Sequence, residues 1–327
     1  MKVVHLTPTP MAQVPYRYCQ LINKYTEHTA VYLQGQAFYL GTKSDILSQE
    51  KDRVLQEIWS ADVLHIHGHK TFDTKIWCGI HYRINPNTEV FLEYHGLPER
   101  GRIGFKRPVK TIVSTPEMLQ TFREAIYFPV LVDEGIIKRK KILPSFPPLK
   151  ICQGWSFHTK VKDTAYFDCL VNLKSPYFQA EKLEQMTGDQ FVESLQNYHA
   201  IFDHLQGYYG VVSLEGLALG MLVFNGVTGH TVQQIKYILG TGFPPPFNIV
   251  DKETFKGRLE MLATSKNTPG LFDKGREYVE KYWSGRKLIN LLIDIYNSDA
   301  LFSQTNKVQR DICNKTFTIS KLPKVLF

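Results

Sequence analysis

Residues 207–226, GYYGVVSLEGLALGMLVFNG, constrain the fold more than any other part of the chain. They read as a glycine-marked loop, a short helix and a buried strand. Gly207 and Gly210 frame the loop, and Leu214, Leu217 and Ala218 recur at helical spacing, so that they can share a core-facing side. Gly220 suits the helix end, where a residue without a Cβ reaches the left-handed region at no steric cost. Residues 221–224 form a continuous apolar run, the pattern of a parallel strand covered on both faces. Glu215 is the lone carboxylate of the unit. Its expected place is near the helix start, beside backbone N–H groups able to hold an anion.

The rest of the chain continues the alternation. Strands are expected at 2–6, 28–33, 62–68, 89–94, 110–113, 150–152, 200–202 and 247–250. Helices are expected at 14–25, 43–60, 75–84, 189–197 and 251–263, with another starting at Pro116, while 165–173 fits either a helix or a strand. Short strands alternating with helices argue for an α/β protein with doubly wound parallel sheets. Ligands of such sheets gather beyond the C-terminal ends of the strands. That rule singles out residues 7–10, His67 to His69, His95 with Gly96, and Ser114 with Thr115. The proline-rich segment 144–148 is the best linker, stiff and short of N–H donors.

Composition narrows the class. A chain of 327 residues can hold two domains with sizeable cores, and 43% hydrophobic with 21% charged residues fits a soluble globular protein. No apolar run approaches the ~20 residues that span a bilayer. The N-terminal apolar stretch, residues 3–6, is too short for a secretory leader. Five cysteines without a Cys-x-x-Cys pair favour reduced thiols and a cytoplasmic location over a disulfide or zinc framework. The net charge of +8 favours an anionic partner: a nucleoside diphosphate, an acidic membrane surface touched peripherally, or nucleic acid.

The run Ser213-Leu214-Glu215-Gly216-Leu217-Ala218-Leu219-Gly220-Met221-Leu222-Val223 resembles the nucleotide-sugar signature of GT-B glycosyltransferases, in particular glycosyltransferase family 4. Residues 275–284 and the apolar repeat at 288–296 are similar to the terminal helices of that family. The resemblance implies two Rossmann-like domains facing each other across a cleft. An acceptor domain would occupy 1–145 and a nucleotide-sugar domain 146–298, with residues after about 284 crossing back to the first domain; the polar tail 299–327, which the resemblance does not explain, is expected to pack back on that domain as well. It further implies sugar transfer with retention from a nucleotide sugar, UDP-sugar favoured, to a hydroxyl of a glycan, a lipid-linked glycan or nucleic acid. No cofactor beyond that co-substrate and no catalytic metal are implied. The chain departs from the family pattern twice: Gly207 stands where many members carry a glutamate, and Trp155 where an arginine is usual. Two alternatives therefore stay open, a glycosyltransferase acting on a hydroxylated DNA base and a non-catalytic binding or partner protein of the same fold.

The resemblance also assigns residues. Glu215 would accept hydrogen bonds from the donor ribose, a carboxylate offering two acceptor oxygens. Lys160 and Lys162 lie in the loop where members carry a basic residue that neutralises the leaving diphosphate. Tyr209, Gly210 and Val211 would bring backbone N–H groups to the phosphates. His95, at a strand end, is the candidate catalytic group facing the transferred sugar. Thr9, His67, His69, Arg100 and Arg102 are the acceptor-side candidates. On an extended strand His65, His67 and His69 share one face, a spacing that permits a metal site, but no neighbouring Cys or Asp cluster completes it and none is expected.

Overall fold

The computed structural model describes residues 1–8, 13–35, 44–68, 76–95, 109–135, 137, 147–155 and 162–314. The chain divides into two compact units, one of residues 1–133 with the chain from Gly285 onward, the other of residues 134–284. The first division thus falls ahead of the 144–148 linker. The second falls at Gly285, ahead of Asp299.

The first unit begins with β1 (Lys2–Thr7), α1 (Val14–Tyr25), β2 (Thr29–Gln34), β3 (Ile46–Leu47), α2 (Lys51–Trp59) and β4 (Val63–Gly68). It continues through β5 (Ile76–Trp77), β6 (Ile80–His81), β7 (Glu89–Tyr94), β8 (Lys110–Val113), a 3-10 turn at Pro116–Gln120 and β9 (Ile126–Tyr127). Seven strands form a parallel sheet in the order β3-β2-β1-β4-β7-β8-β9. The chain reverses its direction of strand addition between β1 and β4, the place where such sheets bind ligands. Nearly every residue of β1, β4 and β7 is buried, so these strands are mostly apolar, and the polar His5, His65, His67 and Glu93 within them are buried with the rest. Helix α1 buries Val14, Tyr18, Leu21 and Ile22, one stripe at helical spacing.

The second unit holds β10 (Leu149–Gln153), α3 (Thr164–Val171), β11 (Phe178–Lys182), α4 (Gly188–Ser194), β12 (Ala200–Phe202), α5 (Val211–Leu219) and β13 (Leu222–Asn225). After these come α6 (Gly229–Ile238), β14 (Asn248–Ile249), α7 (Phe255–Thr264) and α8 (Pro269–Tyr278). The sheet order is β11-β10-β12-β13-β14, all parallel, with its reversal between β10 and β12. Phe167, Phe202, Phe224 and Phe255 are at most 1% exposed and stack over this sheet. The chain then rejoins the first unit with α9 (Gly285–Asn297) and α10 (Asp299–Asn314). On α10, Gln309 accepts from the Tyr127 N–H at 2.6 Å and donates to the Tyr127 carbonyl at 2.9 Å, so that it completes the edge of β9.

Three local expectations are corrected. Within the expected 75–84 helix, residues 76–81 form a hairpin of β5 and β6 instead: Cys78 and Gly79 take φ of 48° and 80°, the pair of positive values that a two-residue hairpin turn requires. The 43–60 helix starts only at Lys51, because Ile46 and Leu47 extend the sheet beside β2. Glu215 is the fifth residue of α5 and so lies one turn into the helix, not at its start. The end of α5 is as expected. Gly220 has φ 75°, its N–H donates to the Leu217 carbonyl, and the Met221 N–H donates to Gly216, both at 2.9 Å.

Candidate functional site

Asp203, directly after β12, organises the second-unit residues that the resemblance assigns to the donor. The strand delivers it to the sheet's reversal point, where it is 1% exposed. Its Oδ2 accepts from the Gly210 N–H at 2.6 Å and from the Ser213 hydroxyl at 2.9 Å, which ties the loop and the first turn of α5 to the sheet. Ser213 in turn accepts from Asn225 at the end of β13, at 3.1 Å. The ammonium of Lys162 pairs with Asp203 Oδ1, and its side chain keeps 25% of its surface exposed. Next to Lys162, Asp163 accepts from the Leu205 N–H at 2.7 Å and the Gln206 side chain at 3.2 Å. The basic loop after β10 is thereby clasped to the loop before α5.

Burial would raise the Asp203 carboxyl. His204, charged in the acid range where this carboxyl titrates, and Lys162, with hydrogen bonds from Lys162 and the Gly210 N–H, outweigh it and hold the group well below the usual carboxylate range. His204 lies 3.6 Å from Asp203 Oδ1. Burial drives its imidazole down to about 4 against the pull of Asp203. It is therefore neutral at pH 7, and Lys162 is the cation that balances the carboxylate.

A histidine cluster occupies the corresponding place in the first unit. The parallel register sets His5 on β1 beside His65 on β4, and His67 beside Glu93 on β7. His5 Nδ1 lies 2.8 Å from His67 Nε2, and His67 Nδ1 lies 3.0 Å from His95 Nε2. Tyr18 of α1 donates to Glu93 Oε1 at 3.2 Å, and the Tyr296 hydroxyl of α9 lies 2.5 Å from His65 Nδ1. His5, His65, His67 and Glu93 are fully buried, and the His95 side chain is 13% exposed. Burial lowers the imidazoles of His5 and His67 well below their ordinary value and His65 to about 3, and it raises Glu93 to about 7.

No family model and no curated protein match this chain. Solved structures do match it. An alpha-glucosyltransferase in complex with UDP-glucose and DNA containing an abasic site superposes with a TM-score of 0.64 at 11% identity, over 91% of this chain and 99% of that one. The catalytic domain of starch synthase IV from Arabidopsis thaliana, bound to ADP and acarbose, gives 0.60 at 8% identity over 94% and 99%. Anabaena Alr3699/HepE in complex with UDP and glucose gives 0.57 at 9% identity over 91% and 99%. The fold is GT-B.

Within this GT-B fold, Lys162 and Gly210 meet through Asp203, and His67 and His95 meet directly. Glu215 is buried within α5 at 4% exposure. The Gly210 N–H, expected to point at a phosphate, is instead engaged by Asp203. The Tyr209 ring is buried against Phe247 and Trp283, and Val211 opens α5. Thr9, His69, Arg100, Arg102 and Lys160 lie outside the described residues. Sequence reasoning missed Asp203, Glu93 and His5. For Asp203 a signal existed, an acidic residue closing the apolar run 200–202. Among the described residues no helix is long and apolar enough to cross a membrane.

His204 gives a pH dependence with a definite sign. Its folded value, about 4, lies below the ordinary 6.5, so the unfolded chain binds the extra proton first. The stability held by the neutral imidazole is complete above pH 6.5 and is lost as pH falls towards 4, an effect of about 3 kcal/mol. Urea midpoints across this window should fall more steeply for the native protein than for His204→Gln. Parallel slopes would remove His204 as the cause.

Proposed function

We propose that the protein transfers a sugar from a uridine diphosphate sugar to a hydroxyl acceptor, with retention, in the manner of glycosyltransferase family 4. The observation that carries the reading is the junction of Lys162, Asp203 and Gly210 at the reversal point of the second sheet, with Glu215 on the helix that follows. A partly exposed ammonium held on a buried carboxylate is a cation pre-positioned for a diphosphate leaving group. The Glu215 carboxylate suits a ribose diol. His95, at the exposed rim of the histidine cluster, is the acceptor-side group in this reading.

The test is binding of UDP, GDP, UDP-glucose, UDP-N-acetylglucosamine and GDP-mannose, measured by calorimetry on the native protein and on Glu215→Ala and Lys162→Ala. Uridine nucleotides should bind selectively, with at least tenfold weaker affinity in both variants. A folded native protein that binds none of them would favour the non-catalytic alternative.

A hydroxylated base of DNA is a second acceptor reading. It is supported by the net charge of +8 and by the glucosyltransferase neighbours solved with DNA, one of them holding an HMU base. Duplex binding that weakens steeply with salt, together with sugar transfer to hydroxymethylated DNA, would favour it over a glycan acceptor.

A further inference from the structure

We propose that His67, Glu93 and His95 bind a divalent transition-metal ion, zinc being the best match to the donor set. The proposal rests on the first unit alone and does not depend on the donor reading. Two imidazoles and a carboxylate are a ligand set that zinc accepts when a fourth position stays open. His67 Nδ1 and His95 Nε2 are 3.0 Å apart, His67 Nδ1 and Glu93 Oε2 3.4 Å, and His95 Nε2 and Glu93 Oε1 3.6 Å. Bonds of ~2.0–2.1 Å to a tetrahedral ion set the ligand atoms ~3.3 Å apart. The separations bracket that value, with Glu93 meeting His67 through Oε2 and His95 through Oε1, and one ligand atom from each of the three residues lies within 4.8 Å of the others.

The surroundings fit as well. With Nδ1 of His67 given to the ion, its Nε2 carries the proton and donates to His5 Nδ1, 2.8 Å away. This outer hydrogen bond fixes the tautomer and the ring, as metal-binding histidines commonly require. Tyr18 holds Glu93 Oε1 from the other side. Glu93 Oε2 is buried and makes no hydrogen bond, although His65 Nε2 lies 3.2 Å and His67 Nδ1 3.4 Å away, a state for a carboxylate oxygen that an ion would relieve.

A second triad, His5, His65 and His67, is also close enough to share an ion. It is the poorer choice. Three neutral imidazoles leave a buried dication uncompensated, whereas Glu93 supplies a negative charge. Nδ1 of His65 faces Tyr296, and its Nε2 lies 3.2 Å from Glu93 Oε2, so both ring nitrogens already face a polar group. His95, 13% exposed, gives the chosen site a route from solvent.

The test uses the full chain, stripped with a chelator and titrated with Zn²⁺ in competition with a chromophoric chelator, and with Co²⁺ for its d–d spectrum. The expected result is one equivalent per chain, a tetrahedral Co²⁺ spectrum without a thiolate charge-transfer band, and affinity at least tenfold weaker in His95→Ala and Glu93→Gln. The exposed His81→Ala should match the native protein. His95 is at the rim, so its variant tests the site even where Glu93→Gln fails to fold. The proposal is overturned if the folded native protein takes up no stoichiometric metal, if both variants bind as tightly as the native protein, or if uptake is lost only in Cys78→Ser.

Discussion

Asp203→Ala is expected to destabilise the protein by about 3–5 kcal/mol, the range found when one partner of a buried ion pair is removed. The carboxylate is 1% exposed and serves three donors at once: the Lys162 ammonium, the Gly210 N–H and the Ser213 hydroxyl. Alanine leaves all three without their acceptor, and each such group costs ~1–3 kcal/mol if it stays buried. Lys162 escapes part of that cost, since its side chain is 25% exposed and can turn to water. The Gly210 N–H and Ser213 cannot, because they are fixed at the start of α5. Asp203→Asn keeps one acceptor oxygen but loses the charge opposite Lys162, so its loss should fall between native and alanine. Urea unfolding followed by tryptophan fluorescence measures the order. A loss below about 1 kcal/mol for alanine would mean that the loop is held by other contacts.

That junction also marks how far the sequence could be read. The strand–helix alternation was legible because buried parallel strands are short and mostly apolar: β1, β4, β7, β8, β10 and β12 all lie within a residue or two of their expected bounds. The α5 unit was legible for a different reason, since its glycines mark the turn and the helix end. What stayed hidden is what register decides. His67 and Glu93 are 26 positions apart and become neighbours only because β4 pairs with β7 in one particular register. His5 reaches them through the pairing of β1 with β4. A spacing rule applied along one strand finds His65 and His67 together but no carboxylate, and so it undercounts the chemistry. Local chemistry also overrode periodicity. The apolar spacing of 75–84 suits a helix, but Cys78 and Gly79 turn the chain into a hairpin. The strand β11 was missed because Phe178 and Ala180 are its only buried residues, the rest of this edge strand being polar and exposed. The long helix α10 gave no family pattern, and its role is visible in the hydrogen bonds of Gln309 with Tyr127 and of Asn306 with the Arg123 and Ala125 carbonyls.

Gly226→Ala should be the most disruptive single-methyl change in the second unit. A Cβ at this position would stand 2.5 Å from Leu205 Cα, 2.7 Å from its carbonyl carbon and 2.8 Å from its oxygen. These are backbone atoms, so no rotamer change relieves the contact. Relief requires the loop after β12 to separate from the end of β13. That movement breaks the 2.8 Å bond from the Gly226 N–H to the His204 carbonyl and pulls on the 2.7 Å bond that ties the Leu205 N–H to Asp163. Overpacking that side chains can absorb costs ~1–3 kcal/mol, and a backbone collision belongs at or above the top of that range. For a unit of this size a loss of about 3 kcal/mol lowers the melting temperature by on the order of 10 °C. Gly229→Ala is the matched control three residues on: nothing lies within 4 Å of its added Cβ, so its melting temperature should stay within about 2 °C of native. The two variants differ by one methyl at neighbouring positions, so a shared effect would point to chain flexibility and only a large difference to the collision. The displaced loop also carries Asp203 and His204, which adds a functional readout. Uridine nucleotide affinity should fall at least tenfold in Gly226→Ala at temperatures where it is still folded, and hold in Gly229→Ala. Equal melting temperatures in the two variants would show that β12 and β13 can part at Leu205 without cost, and the rigid junction argued for Lys162 and Asp203 would lose its support.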